Sequence, residues 1–365
     1  MTKISEVVNY LESIAPTALQ ESYDNSGLLT GNSSTEVKNI LITLDTTEDV
    51  IKEAIANNCN LIISHHPIIF KGLKKLTGSN YVERTIIEAI KNDIAIYAVH
   101  TNLDNVHNGV NRKICEKIEL KNLKILSPKK GTLKKLVVFI PESDKDIVLS
   151  AVYNAGAGNI GNYSECSYQL QGTGTFRPND QANPTIGAAN TKEQVKEVRA
   201  EVIYPAWKEN GILQALKEAH PYEEPAYDLV ALENTDFYNG SGMYGELENP
   251  LPPQAFLKYL KEKMQLSCIR HTQLPEKPVK KVAVCGGSGS FLLKNAIKQK
   301  ADVYITSDFK YHEFFDAENK IIIADIGHYE SEVFTKELIK EFMSKKFTNI
   351  ALILSNTTTN PISYY

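Results

Sequence analysis

Apolar positions recur along the chain with two different periods. Residues 1–16 (MTKISEVVNYLESIAP) set Ile4, Val7, Val8 and Leu11 on one face at helical spacing. They lack the continuous apolar block of a secretory leader, so nothing here is expected to be cleaved or exported. Further on, short β-branched runs alternate with amphipathic stretches. Residues 38–47 (KNILITLDTT) predict a strand, 48–58 a helix and 60–67 (NLIISHHP) a second strand; 84–92 predict a helix leading into an extended segment, 94–104. The same order returns at 280–289, 290–300 and 301–307, followed by a helix at 312–319 and an extended segment at 321–332. Such alternation implies βαβ units and mainly parallel sheets, and the likeness of the two stretches implies an old duplication.

The middle of the chain follows another pattern. Strand 136–140, helix 144–154, strand 163–176, strand 196–204, helix 207–219 and strand 225–232 make the βαββαβ order of a ferredoxin-like α+β domain. Eleven of the twenty glycines fall between residues 129 and 245, but only one of the eight histidines, His220, does. Proline and glycine at 127–131 (SPKKG) and 249–253 (NPLPP) read as linkers. The expected organisation is an α/β protein whose duplicated βαβ halves, 1–128 and 246–365, form one domain interrupted by an inserted domain at 129–245.

Composition narrows the classes of function. With 365 residues and 42% apolar content each domain can bury a core. A formal net charge of -4 disfavours nonspecific nucleic-acid binding. Five scattered cysteines with no C-x-x-C pair argue against a disulfide framework and against a thiolate zinc site, and they fit a reducing cytoplasm. Runs such as 136–140 and 321–324 are far shorter than the ~20 residues of a membrane helix.

Open parallel sheets bind ligands beyond the carboxyl ends of their strands. His65 and His66 follow one predicted strand, Asp104 another, and His328 with Glu332 follow a third. Adjacent histidines in an ideal strand point to opposite faces, so His65 and His66 address two ions more easily than one. Glu332 lies four residues after His328 on one helix face, where its carboxylate can bridge both ions. Three imidazoles and two carboxylates suit zinc, iron(II) or manganese, not calcium or a dedicated magnesium site. His100, four residues before Asp104 in a segment read as extended, is expected to hold a ligand or water by a hydrogen bond from outside. His107 sits in a polar turn and is expected to be exposed, and His312 falls roughly where the His-His pair stands in the first copy.

The stretches APTALQESYDNSGLL, LIISHHPIIF, VHTNLDNVHNGVN, VAVCGGSGS, ITSDFKYHE and IGHYESE, in that order, resemble the dinuclear-metal family related to yeast NGG-interacting factor, often labelled GTP cyclohydrolase type-two homologue. The resemblance covers roughly 1–127 and 246–365. It implies two divalent metal ions per subunit, zinc or iron, on His65, His66, Asp104, His328 and Glu332, within a toroidal homohexamer. Residues 129–245, with HPYEEPAYD at 220–228, look like the CutA/PII-like insert of the family's long bacterial members. Tyr23 stands where tryptophan is common, and Ser307 where glycine often precedes Asp308.

Two dications facing two carboxylates leave a formal surplus of positive charge, which favours a phosphate or another anion. Water activated by such ions makes hydrolysis of a nucleotide or phosphorylated small molecule the leading reaction, with Asp45, Asp308 and His312 as candidates for proton transfer or substrate contact. A metallochaperone-like assembly without turnover and a regulatory hub are the competing expectations.

Overall fold

The computed structural model describes residues 1–365. Contacts divide the chain into two compact units, one of Met1–Pro128 with Phe237–Tyr365 and one of Lys129–Asp236.

The first unit holds two mixed sheets. In the five-stranded sheet the spatial order is Gly27–Thr30, Ala95–Ala98, Leu61–Ser64, Asn39–Thr43, Ala351–Leu354, with only the Gly27–Thr30 edge antiparallel. Leu41, Ile62 and Ile96 of its strands, Val50, Ile51 and Ala54 of helix Glu48–Ala56, and Ile86 and Ala89 of helix Tyr81–Lys91 share one core cluster. The register sets Thr43, Ser64 and Ala98 level, so the residues after each emerge at the same carboxyl edge. Thr47 and Asn80 cap the two helices through their side-chain oxygens, each worth about 1 kcal/mol.

In the six-stranded sheet Val279–Ser288, Val303–Ser307 and Ile322–Asp325 run parallel in the same sequential order as the first triplet. Two long strands, Thr235–Leu251 and Lys121–Lys130, and the short Arg270–His271 complete it. Residues 237–245, which the glycine-rich composition assigns to the middle segment, therefore belong to this sheet. Met243 pairs with Val284 and Gly245 with Val282, and that pairing outweighs the local turn signal.

The extended reading of 94–104 fails after Ala98. Residues Thr101–Asp104 form a helical turn because Asp24, distant in sequence, accepts hydrogen bonds from the Thr101 backbone N–H and hydroxyl. The helix expected at 312–319 is a 3-10 segment, Tyr311–Ala317.

In the second unit the four-stranded antiparallel sheet has the order Tyr168–Phe176, Glu193–Pro205, Leu133–Pro141, Tyr227–Ala231. Helices Lys145–Asn154 and Glu209–Ala219 bury Val148, Val152, Ile212 and Leu216 against Leu136, Val138 and Val202. No helix of the protein is long and apolar enough to cross a membrane.

The loop after the His-His pair is fastened by one carboxylate. Glu83 accepts from the Thr77 N–H at 2.8 Å and hydroxyl at 2.9 Å, from the Ser79 N–H and hydroxyl, and from Asn80 Nδ2. These bonds, the Thr77 and Ser79 backbone donors foremost, hold its pKa near about 2, against an ordinary 4.5. A depressed carboxylate stabilises the fold above its unfolded pKa and loses that contribution as pH falls through its folded one. Glu83→Gln is expected to lower the unfolding midpoint at neutral pH, with the difference from wild type shrinking below about 4.5 and vanishing near about 2. Thermal melts across that range check it.

Candidate metal centre

The Leu61–Ser64 strand stops one residue before the histidine pair. His65 and His66 are thus released from strand alternation, and their rings lie 4.9 Å apart. His100 enters from the end of Ala95–Ala98, Asp104 from the turn that follows, and His328 and Glu332 from the short helix after Ile322–Asp325. The rings of His65 and His66 each lie 5.3 Å from that of His100, and those of His66 and His328 5.2 Å apart.

All four imidazoles are anchored the same way. His65 Nδ1 donates to the Val99 carbonyl at 2.8 Å, His66 Nδ1 to Asp45 Oδ1 at 2.7 Å, His100 Nδ1 to Asp24 Oδ1 at 2.7 Å and His328 Nδ1 to Asp308 Oδ2 at 2.6 Å. Occupying Nδ1 from behind fixes each ring and leaves Nε2 as the coordinating atom, the pattern of histidines that ligate metals. Glu332 faces three of these rings with its two oxygens. Its Oε2 is 2.9 Å from His66 Nε2 and 3.1 Å from His328 Nε2, while its Oε1 is 3.7 Å from His65 Nε2.

The donor atoms fall into three groups, each with its members within 4.8 Å of one another: His65, His66 and His100; His66, His328 and Glu332; His65, Asp104 and Glu332. These His/Glu groups are able to hold a metal ion. The buried His65 Nε2 and Asp104 Oδ1 have no hydrogen-bond partner and stand 3.7 Å apart. Unpaired buried polar atoms are costly, so this pair marks a place built for a third party. Imidazole nitrogen and carboxylate oxygen suit a divalent transition ion.

Electrostatics tells the same story. Burial opposes the charged form of His66, but hydrogen bonds to Asp45 and Glu332 raise its pKa to about 9; burial likewise opposes His328, and the charge of Glu332 with the Asp308 bond raises it to about 11. Burial pushes Asp104 up to about 7. Burial disfavours a charged Glu332 too, yet the His328 charge and its imidazole bonds hold it well below the carboxylate range. The buried carboxylates thus call for positive charge around them.

Asp45 and Asp308, candidates for proton transfer, are thus the residues that orient His66 and His328, and Thr359 donates to the other oxygen of Asp45 at 2.5 Å. Asp24 does the same for His100; its place in the DNSG stretch offered the only sequence signal. His312 is exposed in the 3-10 segment, its ring against Tyr311 and Phe315, and belongs to none of the three donor groups. His107, expected exposed, is half-buried beside Tyr238. Asp24, Asp45 and Asp308 thus add three carboxylates to Asp104 and Glu332 around the cluster.

A cavity of about 360 Å³ opens over the cluster. Tyr23, Phe70 and Phe291 stand at its rim, with Tyr23 and Phe291 each 62% exposed. Asn111 ties the two sheets beneath it: its amide donates to the Asp104 carbonyl and its oxygen accepts from Gly286 N–H, both at 3.0 Å. The next residue, Gly287, has φ +63°, and a Cβ there would come within 2.4 Å of Glu332 Oε1. Its carbonyl accepts from Thr306 and from Ser307, which gives the departure at 307 a definite job. Gly287→Ala is expected to displace Glu332 and weaken metal binding by about 10–100-fold while the fold persists. Competitive chelator titration alongside circular dichroism checks it.

Known proteins resemble this chain over nearly its whole length. The family model Duf34/NIF3 (NGG1p interacting factor 3) matches residues 2–361. A "GTP cyclohydrolase 1 type 2 homolog" of Bacillus subtilis (strain 168) is 38% identical over 365 residues, covering 98% of each chain. One of the same name from Staphylococcus aureus (strain MW2) is 35% identical, covering 99% of this chain and 100% of its own. Among solved structures, a Bacillus cereus protein related to NIF3 superposes with a TM-score of 0.88 at 36% identity, covering 100% of this chain and 99% of that one. With its sequence matched almost end to end, this chain belongs to the Duf34/NIF3 family.

Proposed function

We propose that this protein carries two divalent metal ions, zinc or iron, and hydrolyses a nucleotide or another phosphorylated small molecule. The observation that carries the reading is the set of four imidazoles tied back through Nδ1, three of them around the buried Glu332 carboxylate, with His65 Nε2 and Asp104 Oδ1 partnerless. His65, Asp104 and Glu332 would hold one ion, and His66, His328 and Glu332 the other, with His100 also within reach of the first two histidines. Ions bound there would supply Lewis acidity and lower the pKa of water toward ~7.

The chain's own residues prepare the site. Asp45, Asp308, Asp24 and the Val99 carbonyl hold the ring protons on Nδ1 and keep the rings from turning. With the anchoring aspartates counted, the surroundings do not attract anions by themselves, so a phosphorylated substrate must be recognised at the ions. Tyr23, Phe70 and Phe291 offer apolar surface for the remainder of such a molecule. The name shared by the relatives favours a nucleotide.

The same reading extends to organisation. The two parallel triplets with identical strand order support a duplicated βαβ domain, and the sheet order of Lys129–Asp236 supports an inserted ferredoxin-like module. Exposed Tyr311 and Phe315 support burial of that surface in a homohexamer, and five free cysteines support a cytoplasmic setting.

Elemental analysis of protein purified without added metal is expected to find ions near two per chain in wild type and a clear loss in His65→Ala and Glu332→Ala. Metal content insensitive to both substitutions would move the ligands elsewhere. Phosphate or base release from a nucleotide panel is expected to fall at least about 100-fold in His66→Ala. Full metal content without turnover on any member would leave a metal-holding protein and remove the hydrolase.

A further inference from the structure

The segment His220–Asp228 reads in sequence as a rigid proline turn with weak chemistry. In the structure it walls a cavity of about 390 Å³ that lies wholly within Lys129–Asp236 and takes no part in the metal centre. Phe139, Phe176 and Tyr222 give that cavity aromatic surface, the last two with ring centroids 5.9 Å apart.

Tyr222 is held at both its backbone and its hydroxyl. Its N–H donates to His220 Nδ1 at 3.1 Å, and His220 Nε2 donates to the Phe139 carbonyl at 3.0 Å, so both nitrogens of a neutral imidazole are used inside the turn. The Tyr222 hydroxyl donates to Glu197 Oε1 at 3.1 Å. The Glu197 carboxylate in turn lies across Gly174, where any Cβ would come within 2.0 Å of Oε2. The neighbouring strand thus leaves room for this one acid.

The opposite wall is the segment after Phe176, with Arg177, Pro178, Pro184 and Ile186. Asn183 N–H donates to Glu223 Oε1 at 2.9 Å and Thr185 Oγ1 to the Pro221 carbonyl at 2.6 Å, which pins this wall to the His220 turn. Glu197, Glu223 and Glu224 stand around the cavity against the single cation Arg177. A concave aromatic recess with net negative charge selects a cation that also has a flat apolar body, because ring faces and carboxylates both attract it.

We propose that this unit binds a small organic cation with a planar apolar body, an aryl amidinium or guanidinium in type, its ring on Phe139, Phe176 and Tyr222 and its charge toward Glu197. The assignment is independent of the metal centre.

The test is calorimetric titration of the full chain with benzamidine, and with benzoate and benzyl alcohol as anionic and neutral counterparts of similar shape. Benzamidine is expected to bind roughly tenfold or more tightly than either, and Glu197→Gln to weaken it by about tenfold. Because Tyr222→Ala can open the turn, Ala226→Leu, which narrows the cavity without touching a side-chain hydrogen bond, serves as the second variant and is expected to abolish binding with an unchanged melting temperature. Benzoate binding as well as benzamidine would overturn the charge assignment. Absence of binding by all three, or binding indifferent to both Glu197→Gln and Ala226→Leu, would overturn the site.

Discussion

Burial of the Glu332 carboxylate is the constraint on which the first unit turns. At 3% exposure it has almost no water, and an isolated buried charge costs several kcal/mol. It is tolerable only if donors or cations surround it closely. His66 and His328 meet one oxygen and His65 faces the other, and each of these rings is steadied from behind by Asp45, Asp308 or a backbone carbonyl. Removing any one layer leaves charge uncompensated in the next. The arrangement therefore has to be assembled as a whole, and the parallel strands with level carboxyl ends are what bring its parts to one place.

Much of this was legible in the chain, for a physical reason. Adjacent histidines at a strand end and a histidine four residues before a glutamate are local patterns, and the carboxyl-edge rule for parallel sheets says that local patterns of this kind converge. What stayed hidden was tertiary. Nothing near Asp24 in sequence shows that it caps the turn carrying Asp104 and orients His100, so that turn reads as extended and His100 as more remote than it is. Asp45 and Asp308 look like reactive acids until their imidazole partners are seen. His312 shows the converse: repetition of the strand order sets it roughly level with the His-His pair, while the backbone there is an exposed 3-10 segment.

The middle of the chain gives a second contrast. Its alternation of strands and helices is plain in the apolar pattern, whereas glycines 240, 242 and 245, which composition groups with it, lie within one long strand. Each of these glycines faces a close neighbour, Gly240 the Ser127 carbonyl and Gly245 the Lys121 carbonyl. Close backbone approach and chain reversal call for the same residue, and composition alone cannot separate the two demands.

His66 and Glu332 are separated by 266 positions. During synthesis the first histidines leave the ribosome long before their carboxylate exists, so the centre cannot close until those 266 further residues have been made. The inner unit is uninterrupted from Lys129 to Asp236 and has all its strands far earlier. The order of emergence thus makes Lys129–Asp236 available as one continuous stretch before His328 and Glu332 are made, and the earlier imidazoles stand for that whole interval without the carboxylate they will surround.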